Sequence, residues 1–541
     1  MQKELTPSRL AKRLSERFTS SMPLFLTSDE EALKFEIKPY LQPFEQDLAV
    51  RELIALVGPE GRVFNKYGYH LACTDKNEEV FRQRLTYWQR VGKSVLTPTV
   101  QKQLEFTQNG VNESNGTNAL HRARRLRYGP HGIHEYRGKF FPQLVRSLIN
   151  ISGVADDGII CDPMSGSGTT ACEALAAGHS VVAADLNPLS VLITRVKAAL
   201  VLESADGFRL AVSRYINAFE FDGPTARNLV WSASDFEYLQ RWFAPAALKD
   251  LAAAELAIRA VRKPLYRDFF RVCLSNIIRS VSWQKDTDLR VRKEVKGYKP
   301  GTAIARFIEE VQKQVDRIYP YLCVLPKLSP RPFLDVRQGD AIDAAALFQE
   351  YSGRVGLLVT SPPYATALPY LDTDRLSLIV LGLLPRARHG ELEAKMVGTR
   401  EVSERERAIA WELYLHRRHE LPQDVTKLIE QIADSNHQPE VGFRRRNLPA
   451  LLGKYFLDML DAMRSARMLM TRGARGYYVV GNNSTTVDGE KVYIPTDNFL
   501  FEIGAKAGWK QEERIPMDLI ISRDIFKENR GSTETILSFR A

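Results

Sequence analysis

Gly158-Ile159-Ile160-Cys161-Asp162-Pro163-Met164-Ser165-Gly166-Ser167-Gly168-Thr169-Thr170 is the stretch from which the architecture is read. Its first five residues form a short apolar run ending in an acid, the pattern of a parallel strand buried on both faces. A glycine-containing loop follows, and Thr169 to Ala177 reads as a helix of small and apolar residues stopped by Gly178. Ser180-Val181-Val182-Ala183-Ala184-Asp185 is a second apolar run, and Asn187-Pro188 opens another helix with proline in its first turn. Strand, loop, helix and strand in this order make a βαβ unit, for which a right-handed crossover and a parallel sheet are expected.

Outward from this unit, Phe141 to Ile151 has helical apolar spacing. Residues 206–330 read as largely helical and interrupt the strand pattern, which resumes at Pro332–Val336 and Val355–Thr360. Residues 372–450 read as charged helices, and a long amphipathic helix is expected from about Leu451 to Met470. Gly476–Gly481 and Trp509–Pro516 read as further strands. Residues 1–100 look like mixed α/β structure, and the polar, glycine-rich 101–120 like a loop or linker. No internal repeat and no low-complexity tract is evident. The expected fold class is α/β, with a Rossmann-like, mostly parallel sheet and helices on both faces. The expected segments are an N-terminal extension (1–120), a cofactor half (121–205), a helical insertion (206–332), a catalytic segment (333–371), a second charged insertion (372–450) and the end of the sheet (451–541).

The 541 residues suffice for a sizeable core, and 44% hydrophobic with 26% charged residues is ordinary for a soluble protein. The five cysteines (Cys73, Cys161, Cys172, Cys273, Cys323) are scattered, which argues against a zinc site or disulfide framework and for a reducing, cytoplasmic setting. No run of apolar residues is long enough to span a membrane, and the N-terminus has no apolar signal core. A net charge of +10 suits a polyanionic partner, although many soluble proteins carry such a charge without one.

The loop Asp162–Thr170 is neither GxGxxG nor a phosphate loop with its lysine, so neither NAD nor ATP is favoured. Its glycines allow a tight turn and close approach by a ligand. Asp185 ends the next strand, 17 positions after Gly168, where a carboxylate can accept hydrogen bonds from both ribose hydroxyls of a nucleoside cofactor. A plain tight turn with a capping acid is the alternative.

Thr360-Ser361-Pro362-Pro363-Tyr364 follows the strand Val355–Val359. Two prolines end the strand and fix the backbone. The amino group of cytosine or adenine is a poor nucleophile because its lone pair is delocalised into the ring. The Ser361 oxygen and the Pro362 carbonyl can accept its two hydrogens, freeing the lone pair and stabilising positive charge as it develops on nitrogen. Tyr364 offers a face on which an extruded base can stack. A Pro-Pro turn closing a buried strand is the structural alternative.

Taken together, Ser361–Tyr364 and Asp162–Thr170 resemble the amino-methyltransferases of DNA, which make N4-methylcytosine or N6-methyladenine. In that family the tetrapeptide reads Asp/Asn/Ser-Pro-Pro-aromatic and the loop DPFxGxGTT; Met164 here replaces the usual Phe. The resemblance implies a class I methyltransferase sheet and S-adenosylmethionine as cofactor. Asp162, Pro163, Ser165, Gly166, Gly168 and Thr169 would then lie at its pocket, and Asp185 on the ribose. His134–Pro142 resembles the segment that meets the methionine end, implying contacts from Tyr136, Lys139 and Phe140. Gly339-Asp340-Ala341 resembles the block whose acid sits near the adenine, although Asp340 also reads as a helix cap. Arg475–Asn483 and Gly508-Trp509 resemble the later strands. The likeness covers about 121–205, 333–382 and 451–541, with the cofactor half first. Ser361, Pro362, Pro363 and Tyr364 are the catalytic candidates it implies; no metal is expected.

Serine at the head of the tetrapeptide leans towards cytosine N4 over adenine N6 in that family. The partner implied is double-stranded DNA with a flipped base, in the nucleoid, with a cognate restriction or defence enzyme as a further candidate. Arg122, Arg124, Arg125 and Arg127, Lys285 to Lys299, and Arg444 to Arg446 are candidates to track phosphates, or else solvated faces. Trp283 and Phe443 beside them stack on bases or belong to the core. Target recognition is expected in 206–330 and 372–450. The competing readings are an RNA or protein-glutamine methyltransferase, a non-enzymatic DNA-binding subunit, and a nuclease built on Glu36-Ile37-Lys38 in the N-terminal extension.

Overall fold

The computed structural model describes residues 32–66, 68–106, 127–136, 140–221, 230–285, 292–365, 370–400, 402–436, 443–487, 490–518 and 533–541. The N-terminal part is a five-stranded antiparallel sheet of β1 (Leu33–Ile37), β2 (Arg62–Lys66), β3 (Tyr69–Cys73), β4 (Trp88–Gly92) and β5 (Thr97–Pro98), ordered β2-β3-β1-β4-β5. Its helix Pro43–Val57 packs on the helix Pro142–Ser152 of the larger unit. Residues expected as a loop from 101 are helical over Val100–Phe106, because Val100 and Leu104 bury themselves in the core.

The larger sheet has seven strands: β6 (Ile159–Asp162), β7 (Ser180–Asp185), β8 (Leu334–Gln338), β9 (Val355–Thr360), β10 (Met470–Gly481), β13 (Lys510–Asp518) and β14 (Thr533–Arg540). Their order is β13-β14-β10-β9-β6-β7-β8. Every described neighbour pair from β8 to β10 is parallel, and β14 runs antiparallel to both β10 and β13. This is the expected Rossmann-like, mostly parallel sheet with helices on both faces. A short hairpin, β11 (Asn483–Val487) with β12 (Glu490–Ile494), follows β10 directly.

Side chains alternate across the central strands, as the two-residue period of a strand requires. Ile160, Val181, Ala183, Leu357, Val359 and Val479 feed one core, whereas Ile159, Cys161, Val182, Ala184, Leu358 and Tyr478 feed the other. Helices of residues 205–324 bury Phe208, Phe269, Phe270 and Phe307 in the first core. Those of residues 404–469 pack in the second, through Tyr414, Ile429 and Phe456. The long helix spans Phe443–Leu469 rather than starting near 451; Pro449 lies inside it, where a proline removes one backbone donor. No helix among the described residues is long and apolar enough to cross a membrane.

Candidate active site

β6 and β9 are neighbours, so the glycine loop and the Pro-Pro turn leave the same edge of the sheet side by side. Two hydrogen bonds tie them. The Thr360 hydroxyl donates to Asp162 Oδ1 at 2.7 Å across 198 positions of chain, and the Thr170 hydroxyl donates to the Val359 carbonyl at 3.1 Å. Asp162 Oδ1 also accepts from the Met164 amide at 3.2 Å. Burial pushes the Asp162 carboxyl up to about 6, since low polarity disfavours the charged form.

Gly166 and Gly168 carry left-handed φ values of 50° and 72°. A side chain at Gly166 would meet the Tyr136 ring at 3.1 Å, and one at Gly168 the Thr194 backbone at 2.7 Å. The loop is therefore clamped between Tyr136 and the helix Pro188–Leu200. Beneath it, the buried Lys197 donates to the Ser167 carbonyl at 3.1 Å and to Thr169 Oγ1 at 3.4 Å. Desolvation lowers this ammonium to about 8.

Asp185 Oδ2 accepts from the Gly166 amide at 2.8 Å and Oδ1 from the Asn187 amide at 2.9 Å. A carboxylate offers about four lone pairs, so two remain for a diol. Burial raises this carboxyl to about 6. Asp340 caps the short turn Ala341–Asp343 by accepting from the Ile342 amide at 3.1 Å, and its carboxyl is raised by burial. Capping and facing the cleft prove compatible.

The Ser361 hydroxyl donates to the Val479 carbonyl of β10 at 3.0 Å, which spends its proton inside the protein and leaves its lone pairs for a donor from outside. Tyr364 donates to Glu534 Oε1 of β14 at 2.6 Å, and its ring lies 2.9 Å from where a side chain at Gly481 would begin.

One cleft, with about 890 Å³ of space open to solvent, gathers most of the sequence-derived candidates. Tyr136, Phe140, Pro163, Ser165, Gly166, Thr169, Asp185 and Asp340 line it together with Ser361, Pro362, Pro363 and Tyr364. Asp162 and Gly168 are not among its lining residues and act by bracing it. Lys139 lies outside the described residues. Met164, Ser167, Leu186, Ala341, Met396 and Val397 also line the cleft. The sequence reading misses Met396 and Val397 because they belong to the second insertion, where nothing local marks them. Lys197 is the buried one of the two cations, Arg195 and Lys197, in a mostly apolar helix, and nothing in the sequence alone separates the two.

The other candidates separate. Arg122, Arg124, Arg125 and Arg290 lie outside the described residues, as do the side chains of Phe443 and Arg444. Lys285, Arg292, Lys293, Lys299, Arg445 and Arg446 are exposed. The Trp283 indole donates to the Lys296 carbonyl at 3.0 Å, and the Lys293 ammonium sits 4.9 Å from its ring centre. Lys38 is buried against Glu105 at 2.6 Å, a core ion pair. Among the described residues no three His, Cys, Asp or Glu side chains cluster as a metal site would need.

Residues 134–208 match the model of the RMKL-like methyltransferase domain (UPF0020). Fold and match together define a methyltransferase. Over 402 residues the chain is 23% identical to the Type II methyltransferase M.MvaI of Kocuria varians, covering 70% of this chain and 81% of that one. Over 67 residues it is 43% identical to the Type II methyltransferase M.MjaII of Methanocaldococcus jannaschii, covering 12% of each. Among solved structures, TrmN from Thermus thermophilus aligns with a TM-score of 0.31 at 11% identity, covering 94% of this chain and 99% of that one.

Proposed function

We propose that this protein transfers a methyl group from S-adenosylmethionine to an exocyclic amino group of a base flipped out of duplex DNA, with cytosine N4 favoured over adenine N6. The observation that carries the reading is the shared cleft, in which Ser361–Tyr364 and the Asp162–Thr170 loop face one another. The likeness to two Type II methyltransferases supports it.

The donor set fits the cofactor. Asp185 keeps lone pairs for a ribose diol, and Tyr136 and Phe140 bring aromatic surface to the loop. Leu186, Ala341, Met396 and Val397 supply apolar flanks for a planar base. When bound, S-adenosylmethionine supplies an electrophilic methyl group on a sulfonium.

The remaining chemistry belongs to the chain. Ser361 Oγ and the Pro362 carbonyl accept the two amino hydrogens of the target base, drawing nitrogen from planar towards tetrahedral geometry. Because the Ser361 proton is held by Val479, the hydroxyl presents only its acceptor side to the amine. The Tyr364 face would hold the extruded base with its amino group turned towards the Asp162–Thr170 loop, where the cofactor would supply its methyl. The methylated nitrogen, now cationic and strongly acidic, releases its extra proton to water.

The test is transfer of tritiated methyl from S-adenosylmethionine to duplex DNA, RNA and protein. Label in duplex DNA at a base amino group is the expected result; label only in RNA or protein overturns the proposal.

A further inference from the structure

Gly481 and Glu534 are direct partners across β10 and β14, so their side-chain positions share one face of the sheet. The Tyr364 ring lies over the glycine, and its hydroxyl reaches the glutamate at 2.6 Å. A cross-strand pair thus supplies a floor without a side chain and an acceptor beside it. Tyr364 itself remains 38% exposed, an aromatic left partly in water at the mouth of the cleft. The two prolines before it fix the φ angles of the chain that leads into it. The ring is therefore held at its root, under one face and at its tip.

We infer that Glu534 is a positioning residue for base capture, acting through Tyr364; this rests on the reading of the cleft given under Proposed function. A phenol donating to a carboxylate makes a charge-assisted hydrogen bond, short and directional. It pins the tip of the side chain against swinging away from the cleft and concentrates electron density in the ring. The ring then presents a fixed, electron-rich face where the target amine gains positive charge, which suits a cation–π contact. Glu534 is half-buried near the start of β14 and belongs to neither core, so substitution leaves the core untouched.

The experiment is a double-mutant cycle on the full-length protein with S-adenosylmethionine and duplex DNA. Tyr364→Phe and Glu534→Ala are each expected to lower single-turnover transfer about tenfold, and the double variant also about tenfold rather than a hundredfold, because both remove one interaction. Glu534→Gln, which keeps an acceptor, is expected to restore most of the rate. Cofactor affinity and Tm are expected to stay at wild-type values in all four. Multiplying effects in the double variant, or a wild-type rate for Glu534→Ala, overturns the role. Wild-type transfer is measured first: labelling of RNA alone overturns the DNA assignment, and the same cycle is then run on RNA. No transfer to any nucleic acid overturns both readings.

Discussion

Gly481→Ala is a one-carbon perturbation whose consequence is calculable. The new Cβ would stand 2.9 Å from two ring carbons of Tyr364 and 3.2 Å from its hydroxyl oxygen. Carbon atoms rest about 3.5–4.0 Å apart, so the ring must retreat by about 0.6–1 Å. It cannot swing freely, since Pro362 and Pro363 stiffen its root and Glu534 holds its tip. A misplacement of about 1 Å at a reacting centre can cost about a hundredfold in rate. The expected loss in single-turnover methyl transfer is thus about tenfold to a hundredfold, or roughly 1.4–2.8 kcal/mol. Stability is expected to move little, because Gly481 ends β10 and the ring it displaces is partly exposed. Cofactor affinity by calorimetry is expected to be unchanged. In a Tyr364→Ala background the same substitution is expected to add nothing, since the ring it displaces is gone. A Gly481→Ala protein with wild-type single-turnover rate would refute the assignment of Tyr364 as the surface that orients the base.

Asp185→Asn is expected to weaken S-adenosylmethionine binding about tenfold at pH 8. In the wild type, affinity is expected to fall as pH drops through the carboxyl's value of about 6 and to level off about tenfold lower, as protonation removes an acceptor. An identical acid limb in the Asn variant, read by calorimetry across pH, would exclude Asp185 as its source. Ser361→Ala is expected to cut single-turnover transfer by about a hundredfold while leaving cofactor affinity intact, and a wild-type rate would remove the serine from the mechanism. Buried His179 has its folded value lowered to about 4 by desolvation, against about 6.5 when unfolded. Its contribution is whole above about 6.5 and lost as pH falls towards 4, by up to about 3 kcal/mol, because the unfolded chain takes up the proton first. His179→Phe is expected to flatten the loss of denaturant midpoint between pH 7 and pH 5, and parallel losses in both proteins would exonerate the ring.

The legible parts were those whose physics is local. Ile159–Asp162, Ser180–Asp185 and Val355–Thr360 are apolar runs because strands buried on both faces need them. Gly166 and Gly168 stand where φ must be positive. Less legible were the helix that begins at Phe443 across Pro449, and β14, whose partners β10 and β13 stabilise it from either side. Of the two readings Asp340 had from sequence, the helix cap is observed, and the same residue also lines the cleft.

What the sequence by itself determined is the pair of motifs and the βαβ unit that frames the first of them, since turn chemistry and strand burial act over a few residues. Only the tertiary structure decided that the motifs meet. Parallel pairing of β6 with β9 brings Thr360 to Asp162 across 198 positions, and the antiparallel return of β14 sets Glu534 beside Tyr364. The second insertion likewise contributes Met396 and Val397 to the cleft. Such contacts depend on strand order and register, which emerge from the packing of the whole sheet and leave no mark in the residues on either side.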